Sequence, residues 1–326
     1  MSLLRSASRK AMDRCSQSVF FGGEVSLFRN LSGEKFSGWT LPPERTRIQQ
    51  KIEEAIRATD LSGAPHVLFC THGDEHLQIF APIRPDQLET LPEVAHEVDA
   101  VDTLLESRLD FAWTPEFGYS SPLHQHAGTG LVVTGLFLLS ALRATGDLDR
   151  VIEAFNRLHV KLDGLRDADG VELDIFRIEN LQTLGIDEAT ILARTQRLFA
   201  ALVEHEARAR LRLMREGSLR LLDRTGRAGA IAREALLIDE REAFALAAEM
   251  RMSLTMGFAG GLKPATIDDF LLECHPQQSP EPEGDSASEA PDPEEIESEY
   301  ADRLALLAHR IVPRENSLAT IWNWRP

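Results

Sequence analysis

The chain has 326 residues, 43% hydrophobic and 27% charged, enough apolar material for a sizeable core and too much for wholesale disorder. Its formal charge of −17, from 52 acids against 35 lysines and arginines, excludes a nucleic-acid binder that works through a basic surface. The three cysteines (Cys15, Cys70 and Cys274) form no CxxC pair, so neither a disulfide framework nor a zinc ribbon is expected and a reducing cytoplasm is the default compartment.

Residues 1–17 carry Arg5, Arg9, Lys10 and Arg14 without the apolar stretch of a secretory signal, and read as a basic arm. Leu41-Pro42-Pro43 breaks the chain before a helix expected over Glu44–Ala58, where Ile48, Ile52 and Ile56 recur at i+4. Two short apolar runs, His66–Cys70 and His76–Phe80, flank Gly73-Asp74 and predict a β-hairpin. Pro92–Leu109 reads as a helix with Val94, Val98, Val101 and Leu105 on one face. A loop from Trp113 to Gly130 leads into the apolar run Leu131–Leu142. That run is too short to span a bilayer, and its periodicity fits a buried strand or a helix equally. Helices are expected at Asp147–Leu158, Asp187–Glu216 and Glu240–Met256, and a strand at Val171–Ile175.

Beyond the last of these helices the composition changes. Residues 276–299 mix Pro276, Pro280, Pro282, Pro291 and Pro293 with Ser, Glu and Asp and hold no Lys or Arg, the signature of a disordered acidic linker. A short amphipathic helix is expected at 297–311, with Leu304, Leu307 and Ile311 on one side. Trp322 and Trp324 close a C-terminal segment, 300–326, that reads as a docking element.

Two histidine pairs, His72 with His76 and His124 with His126, lie near Asp74 and Glu75 and form the one candidate metal set; their spacing matches no strong motif, and no metal is expected. Gly128-Thr-Gly130 lacks both phosphate-loop patterns and reads as a tight turn. Arg208, Arg210, Arg212 and Arg215, interleaved with Glu204 and Glu206, read as a solvated helix face.

Six segments in order resemble the guanido (phosphagen) kinases, and among them the bacterial protein-arginine kinases. They are Val25-Ser-Leu-Phe-Arg-Asn-Leu31, Asp74-Glu-His-Leu-Gln-Ile79, Phe117-Gly-Tyr119, Gly128-Thr-Gly-Leu131, Ile175-Phe-Arg-Ile-Glu-Asn180 with Thr183-Leu-Gly185, and Arg251-Met-Ser-Leu-Thr-Met-Gly257. The resemblance covers residues 18–262 and implies an α+β fold, a large antiparallel β-sheet flanked by helices. A connector at 263–275 would join this domain to the acidic linker.

The family transfers the γ-phosphoryl of ATP to a guanidinium by positioning and charge neutralisation, with arginines around the phosphates, a carboxylate on the guanidinium and a cysteine beside it. This sequence departs from that pattern. The family's SxRxRxxRN segment is Gly22-Gly-Glu24-Val-Ser26-Leu-Phe-Arg29-Asn30, so its nucleotide-facing arginines are Glu24 and Ser26, while the more structural Arg29 remains. Two further family arginines are Gln78 and Val132, and the family cysteine aligns with Leu123. The arginine of the RGxxGE loop has no clear counterpart; Lys161 or Arg166 would compensate in part, and Arg84 is another possible source of charge. The base carboxylate is Asp74 or, given an apparent extra residue in the hairpin, Glu75.

Four lost charge-assisted bonds remove about 6–12 kcal/mol of phosphate binding if roughly additive. Glu24 adds a repulsion of about 4 kcal/mol at contact distance and an effective dielectric near 20. The expected function is therefore a catalytically degenerate, pseudokinase-like binding or regulatory module with no cofactor. The alternative is an active ATP:guanido phosphotransferase with a rebuilt nucleotide site using Mg-ATP. The resemblance implies homodimerisation or pairing with an active kinase or other regulatory protein, with no nucleic-acid or membrane partner. The family's phosphoarginine-sensing RDxxRA segment is not evident.

Overall fold

The structure, a computed structural model, describes residues 19–71, 73–166, 172–216 and 218–256, together with Met12, Cys15, Ser16, Thr266, Ile267 and Phe270. The connector apart from those last three positions, nearly all of the basic arm, the acidic linker, the expected helix at 297–311 and the docking segment lie outside the described residues, as do His72 and Cys274.

Its centre is a six-stranded sheet in the order β2-β3-β1-β6-β8-β7, every neighbouring pair antiparallel. The strands are β1 (Phe20–Arg29), β2 (Leu68–Thr71), β3 (Leu77–Ile83), β6 (Leu131–Leu138), β7 (Val160–Arg166) and β8 (Glu172–Asn180). A two-stranded ribbon, β4 (Trp113–Thr114) and β5 (Gly118–Tyr119), stands apart from it within the expected loop. The helices are α1 (Pro42–Arg57), α2 (Leu91–Glu106), α3 (Ser140–Ala144), α4 (Leu148–Arg157), α5 (Glu188–Glu216), α6 (Ser218–Glu234) and α7 (Glu240–Met256). This is the α+β architecture expected from the sequence.

Local chemistry explains the boundaries. Pro42 occupies the first turn of α1, and the Glu44 carboxylate accepts the Leu41 N–H at 2.9 Å. Asp187 accepts the Thr190 N–H at 2.8 Å to start α5, and Asp239 accepts the Glu242 N–H at 2.7 Å to start α7. The ambiguous run 131–142 is both strand and helix: it pairs in the sheet to Leu138, then turns into α3. The first amides of α3, those of Ala141 and Leu142, are taken at 3.0 and 2.9 Å by the Glu206 carboxylate, which reaches across from α5.

One sheet face is the core. Val25 and Leu27 of β1, Ile79 and Ala81 of β3, Val133 of β6 and Ile178 of β8 alternate inward and are almost completely buried. Helix α2 packs on β1 and β3, α5 on β6, α4 on β7 and α7 on β8. A second apolar cluster joins α6 and α7 to the end of the sheet through Ala228, Ala232, Phe244, Ala247, Leu138 and Ile175. The sequence reading gave no element to α6. Its buried positions Leu221, Thr225, Ala228 and Ala232 keep helical spacing, but with small residues and Gly226 and Gly229 between them the stripe is faint.

Arg210 is not on a solvated face: it is fully buried, donating to Glu206 at 2.9 Å and to the Cys15 carbonyl at 3.1 Å. The i, i+4 spacing that would make a surface pair instead brings both groups into the interior, where each offsets the other's desolvation. Among the described residues no helix is long and apolar enough to cross a membrane.

Candidate functional site

The opposite sheet face is covered at one end by α6 and α7, which pack on Leu138 and Ile175; the rest is open and forms the floor of a cleft of about 820 Å³. Strand alternation sets which side chains reach it. Glu24 and Phe28 rise from β1, with Ser26 buried between them on the same face, Gln78 from β3, Val132 and Thr134 from β6, Arg177 and Glu179 from β8, and Lys161 and Asp163 from β7. The register joins them across strands: Ser26 faces Val132, Glu24 faces Thr134, Thr134 faces Glu179, and Glu179 faces Lys161.

The four positions where the family resemblance expects arginines thus converge on one floor. Three of them are hydrogen-bonded to one another. Gln78 Nε2 donates to Ser26 Oγ at 3.0 Å and to Glu24 Oε1 at 3.4 Å, and Ser26 Oγ donates to the same carboxylate oxygen at 3.3 Å. Val132 is buried beside them. No Lys or Arg of β1, β3 or β6 lines this cleft among the described residues.

The cleft's cations stand along β7 and β8. Lys161 lies 2.6 Å from Asp163 and 4.0 Å from Glu179, and Arg177 lies 3.5 Å from Glu179. The hydrogen bond that Lys161 donates to the Asp163 carboxylate raises the Lys161 pKa above the usual lysine value. Arg166 lines the same wall, whereas Arg84 lies elsewhere, exposed and 3.7 Å from Asp86. Carboxylates (Glu24, Asp74, Glu75, Asp163, Glu179) outnumber cations (Lys161, Arg166, Arg177) around the cavity.

At the other end the hairpin loop separates the two candidate base carboxylates. Asp74 is exposed on the rim, while Glu75 is buried, with 2% of its surface accessible. Glu75 accepts from Asn30 Nδ2 at 2.5 Å, from the Ser121 hydroxyl, and faces His126 Nδ1 at 3.0 Å. The His126 ring stacks on Phe28, centroids 3.8 Å apart and 3° from parallel. Asn30 also accepts the His76 N–H at 3.1 Å. His76 Nδ1 accepts the Leu31 N–H at 3.0 Å, and its Nε2 donates to the Lys35 carbonyl at 2.8 Å, which fixes the neutral tautomer; burial lowers its pKa.

Both nitrogens of His76 are thus committed, and His124 is exposed. Among the described residues no group of three or more His, Cys, Asp and Glu is placed to hold a metal ion. Leu123, at the family cysteine position, is half-buried and lines a smaller neighbouring groove of about 300 Å³ together with Asp74.

Arg29 does not face the cleft. It is buried, with Nε 3.0 Å and Nη2 2.6 Å from Asp102 of α2, Nη1 3.0 Å from the carbonyls of Phe28 and Thr129, and its guanidinium 3.5 Å from the Tyr119 ring centre. Gly130 makes this possible: it adopts φ +69°, and a Cβ there would lie 2.6 Å from Arg29 Nη1 and 2.7 Å from the Phe28 carbonyl. Arg29 and the Gly128–Gly130 turn are one structural unit.

The sequence reading did not single out Arg177, Glu179, Thr134 or Phe28 as cleft residues. The signal was period-2 alternation within β1, β6 and β8, which shows which residues share a face but becomes a site only when register sets the strands side by side.

Residues 49–209 match the family model described as ATP:guanido phosphotransferase, C-terminal catalytic domain. A protein-arginine kinase of Halothermothrix orenii is 28% identical over 213 residues, 65% of this chain and 60% of that protein. One from Bacillus licheniformis is 25% identical over 281 residues, 79% of this chain and 77% of the relative. The chain spans 60% of the length of the Halothermothrix orenii and Shouchella clausii relatives. Among solved structures, the duplicated taurocyamine kinase from Schistosoma mansoni with bound transition state analog components overlays with a TM-score of 0.49 at 14% identity, covering 57% of this chain and 33% of that one.

Proposed function

Because residues 49–209 belong to the ATP:guanido phosphotransferase catalytic-domain family, we propose that this chain is a pseudokinase: a guanido-kinase fold retained as a binding or regulatory module that uses no nucleotide. The observation that carries this reading is the Glu24–Ser26–Gln78 cluster on the cleft floor. Phosphoryl transfer to a guanidinium needs little from a protein except alignment and cations that neutralise the polyphosphate. A floor of carboxylate, hydroxyl, amide and isopropyl groups repels a triphosphate or ignores it. The module works as a homodimer or paired with an active kinase or other regulatory protein. It resides in the cytoplasm, in keeping with the free thiols of Cys15 and Cys70.

Calorimetric titration with Mg·ATP and with Mg·ADP tests this directly. The expected result is no saturable heat; stoichiometric, saturable binding that competes with nothing but nucleotide overturns the reading.

One observation favours an active enzyme as the second reading. Lys161, Arg166 and Arg177 line the cleft wall opposite the carboxylates of Asp74 and Glu75, so cations and a base are present, though rearranged. Incubation with Mg·ATP and an arginine-rich protein, followed by mass spectrometry for phosphoarginine, separates the two. Phosphoarginine formed by the native chain and lost in Asp74→Ala or Glu75→Gln would establish the second reading.

A further inference from the structure

A groove of about 620 Å³ lies beside the cleft, built from the β4–β5 ribbon and the turn at 183–187. The two share no lining residue: Gln125 and His126 face the cleft, while Gly128 and Thr129 face this groove. Gly118, Gly128 and Gly185 line its floor, where the backbones around residues 118, 128 and 183 pack closely on one another. A Cβ at Gly118 would lie 2.4 Å from the Gly128 carbonyl oxygen, and one at Gly128 would lie 2.5 Å from that of Thr183. Large apolar side chains stand around it in solvent: Trp113 is 55% exposed, Phe117 62% and Leu184 46%. A soluble surface seldom gathers such groups around one depression without a partner to cover them.

Charge selects the partner. Every charged residue lining the groove is acidic (Glu116, Asp187 and Glu188), and α2 adds Asp99 and Glu106 behind them. The potential is felt locally. Burial and then the neighbouring Asp99 and Asp102 raise the Glu188 pKa, and burial together with the Glu106 hydrogen bond raises that of Tyr119; Arg29, the buried cation nearby, is already paired with Asp102.

We propose that this groove docks an extended segment of a partner protein in which one apolar side chain is flanked by basic residues. The apolar side chain seats on the glycine floor between Trp113, Phe117 and Leu184. The flanking cations meet Glu116 and Asp187 and lie across the exposed aromatic faces, where a guanidinium or ammonium gains further attraction. An acidic or purely apolar segment would leave these carboxylates covered and unpaired.

The test titrates the full chain with a capped twelve-residue peptide that places Leu-Phe between two pairs of arginines, and with a copy in which glutamates replace the arginines. The basic peptide is expected to bind at least tenfold more tightly than the acidic copy and to weaken as salt rises. Trp113→Ala with Phe117→Ala, and separately Glu116→Gln with Asp187→Asn, are each expected to weaken it at least tenfold. These side chains are exposed, so unchanged circular-dichroism melting verifies the fold of each variant.

Equal affinity for both peptides, no binding, or binding that neither variant pair alters overturns the proposal. So does sedimentation showing a dimer that Trp113→Ala disperses, which would give the groove to a second copy. Removal of residues 1–11 that unmasks binding would give it to the chain's own basic arm and likewise overturns the proposal. No cleft residue is altered in any of these variants, so the outcome is independent of the nucleotide titrations.

Discussion

Gln78 and Ser26 hold each other at 3.0 Å on the cleft floor, and both are joined to Glu24. Side chains that satisfy one another offer little to a ligand. The pseudokinase reading therefore predicts that nucleotide affinity returns with charge rather than with shape. Glu24→Arg combined with Gln78→Arg removes a repelling carboxylate and supplies two charge-assisted donors, each contributing about 1.5–3 kcal/mol. Mg·ATP affinity is expected to rise at least tenfold over the native chain by calorimetry.

Asp102 is the buried partner of Arg29, and burial pushes its carboxyl pKa up while the guanidinium opposes that shift. Asp102→Ala leaves Arg29 buried without its counter-charge and is expected to cost about 3–5 kcal/mol in urea unfolding. Replacing both partners, as Arg29→Met with Asp102→Leu, is expected to recover most of that loss.

Gly130→Ala attacks the same unit from the backbone. With φ at +69° and both Arg29 Nη1 and the Phe28 carbonyl inside contact distance of a new methyl, the variant combines backbone strain with a clash. A loss of at least about 2 kcal/mol is expected, read as a lower thermal midpoint.

Asn30, just past β1, bonds Glu75 and the His76 amide of the hairpin loop and the Ser120 carbonyl just past β5. Asn30→Ala withdraws the Glu75 donor at 2.5 Å and is expected to destabilise by about 2–4 kcal/mol. Urea unfolding measures it.

His76 gives the protein an acid limb. Burial lowers its folded pKa below the ordinary 6.5, so in acid the unfolded chain takes up a proton that the folded one refuses. The stability it contributes is complete above about pH 6.5 and is lost as pH falls through that value toward the folded pKa. Unfolding free energies measured from pH 8 to pH 5 should fall with acidity, and the slope should flatten in His76→Gln, which is less stable at pH 8.

The helices α1, α2, α5 and α7 and the β2–β3 hairpin were legible in the sequence because each is fixed by local chemistry: apolar spacing, a proline or aspartate at the start, a Gly-Asp turn. The sequence reading sets Glu24, Ser26, Gln78 and Val132 at the family's arginine positions, with Val25, Leu27, Asn30 and Gly128–Leu131 as the anchors of that alignment. Tertiary structure decided the rest. Only the packed hairpin turns Glu75 inward and leaves Asp74 on the rim. Only strand register brings Arg177 and Glu179 beside Lys161. Only the meeting of α3 with α5 buries Arg210 with Glu206. A sequence states what each side chain is and how often it recurs, whereas pairing of strands and crossing of helices join residues far apart in the chain, and those joins determine which charge meets which.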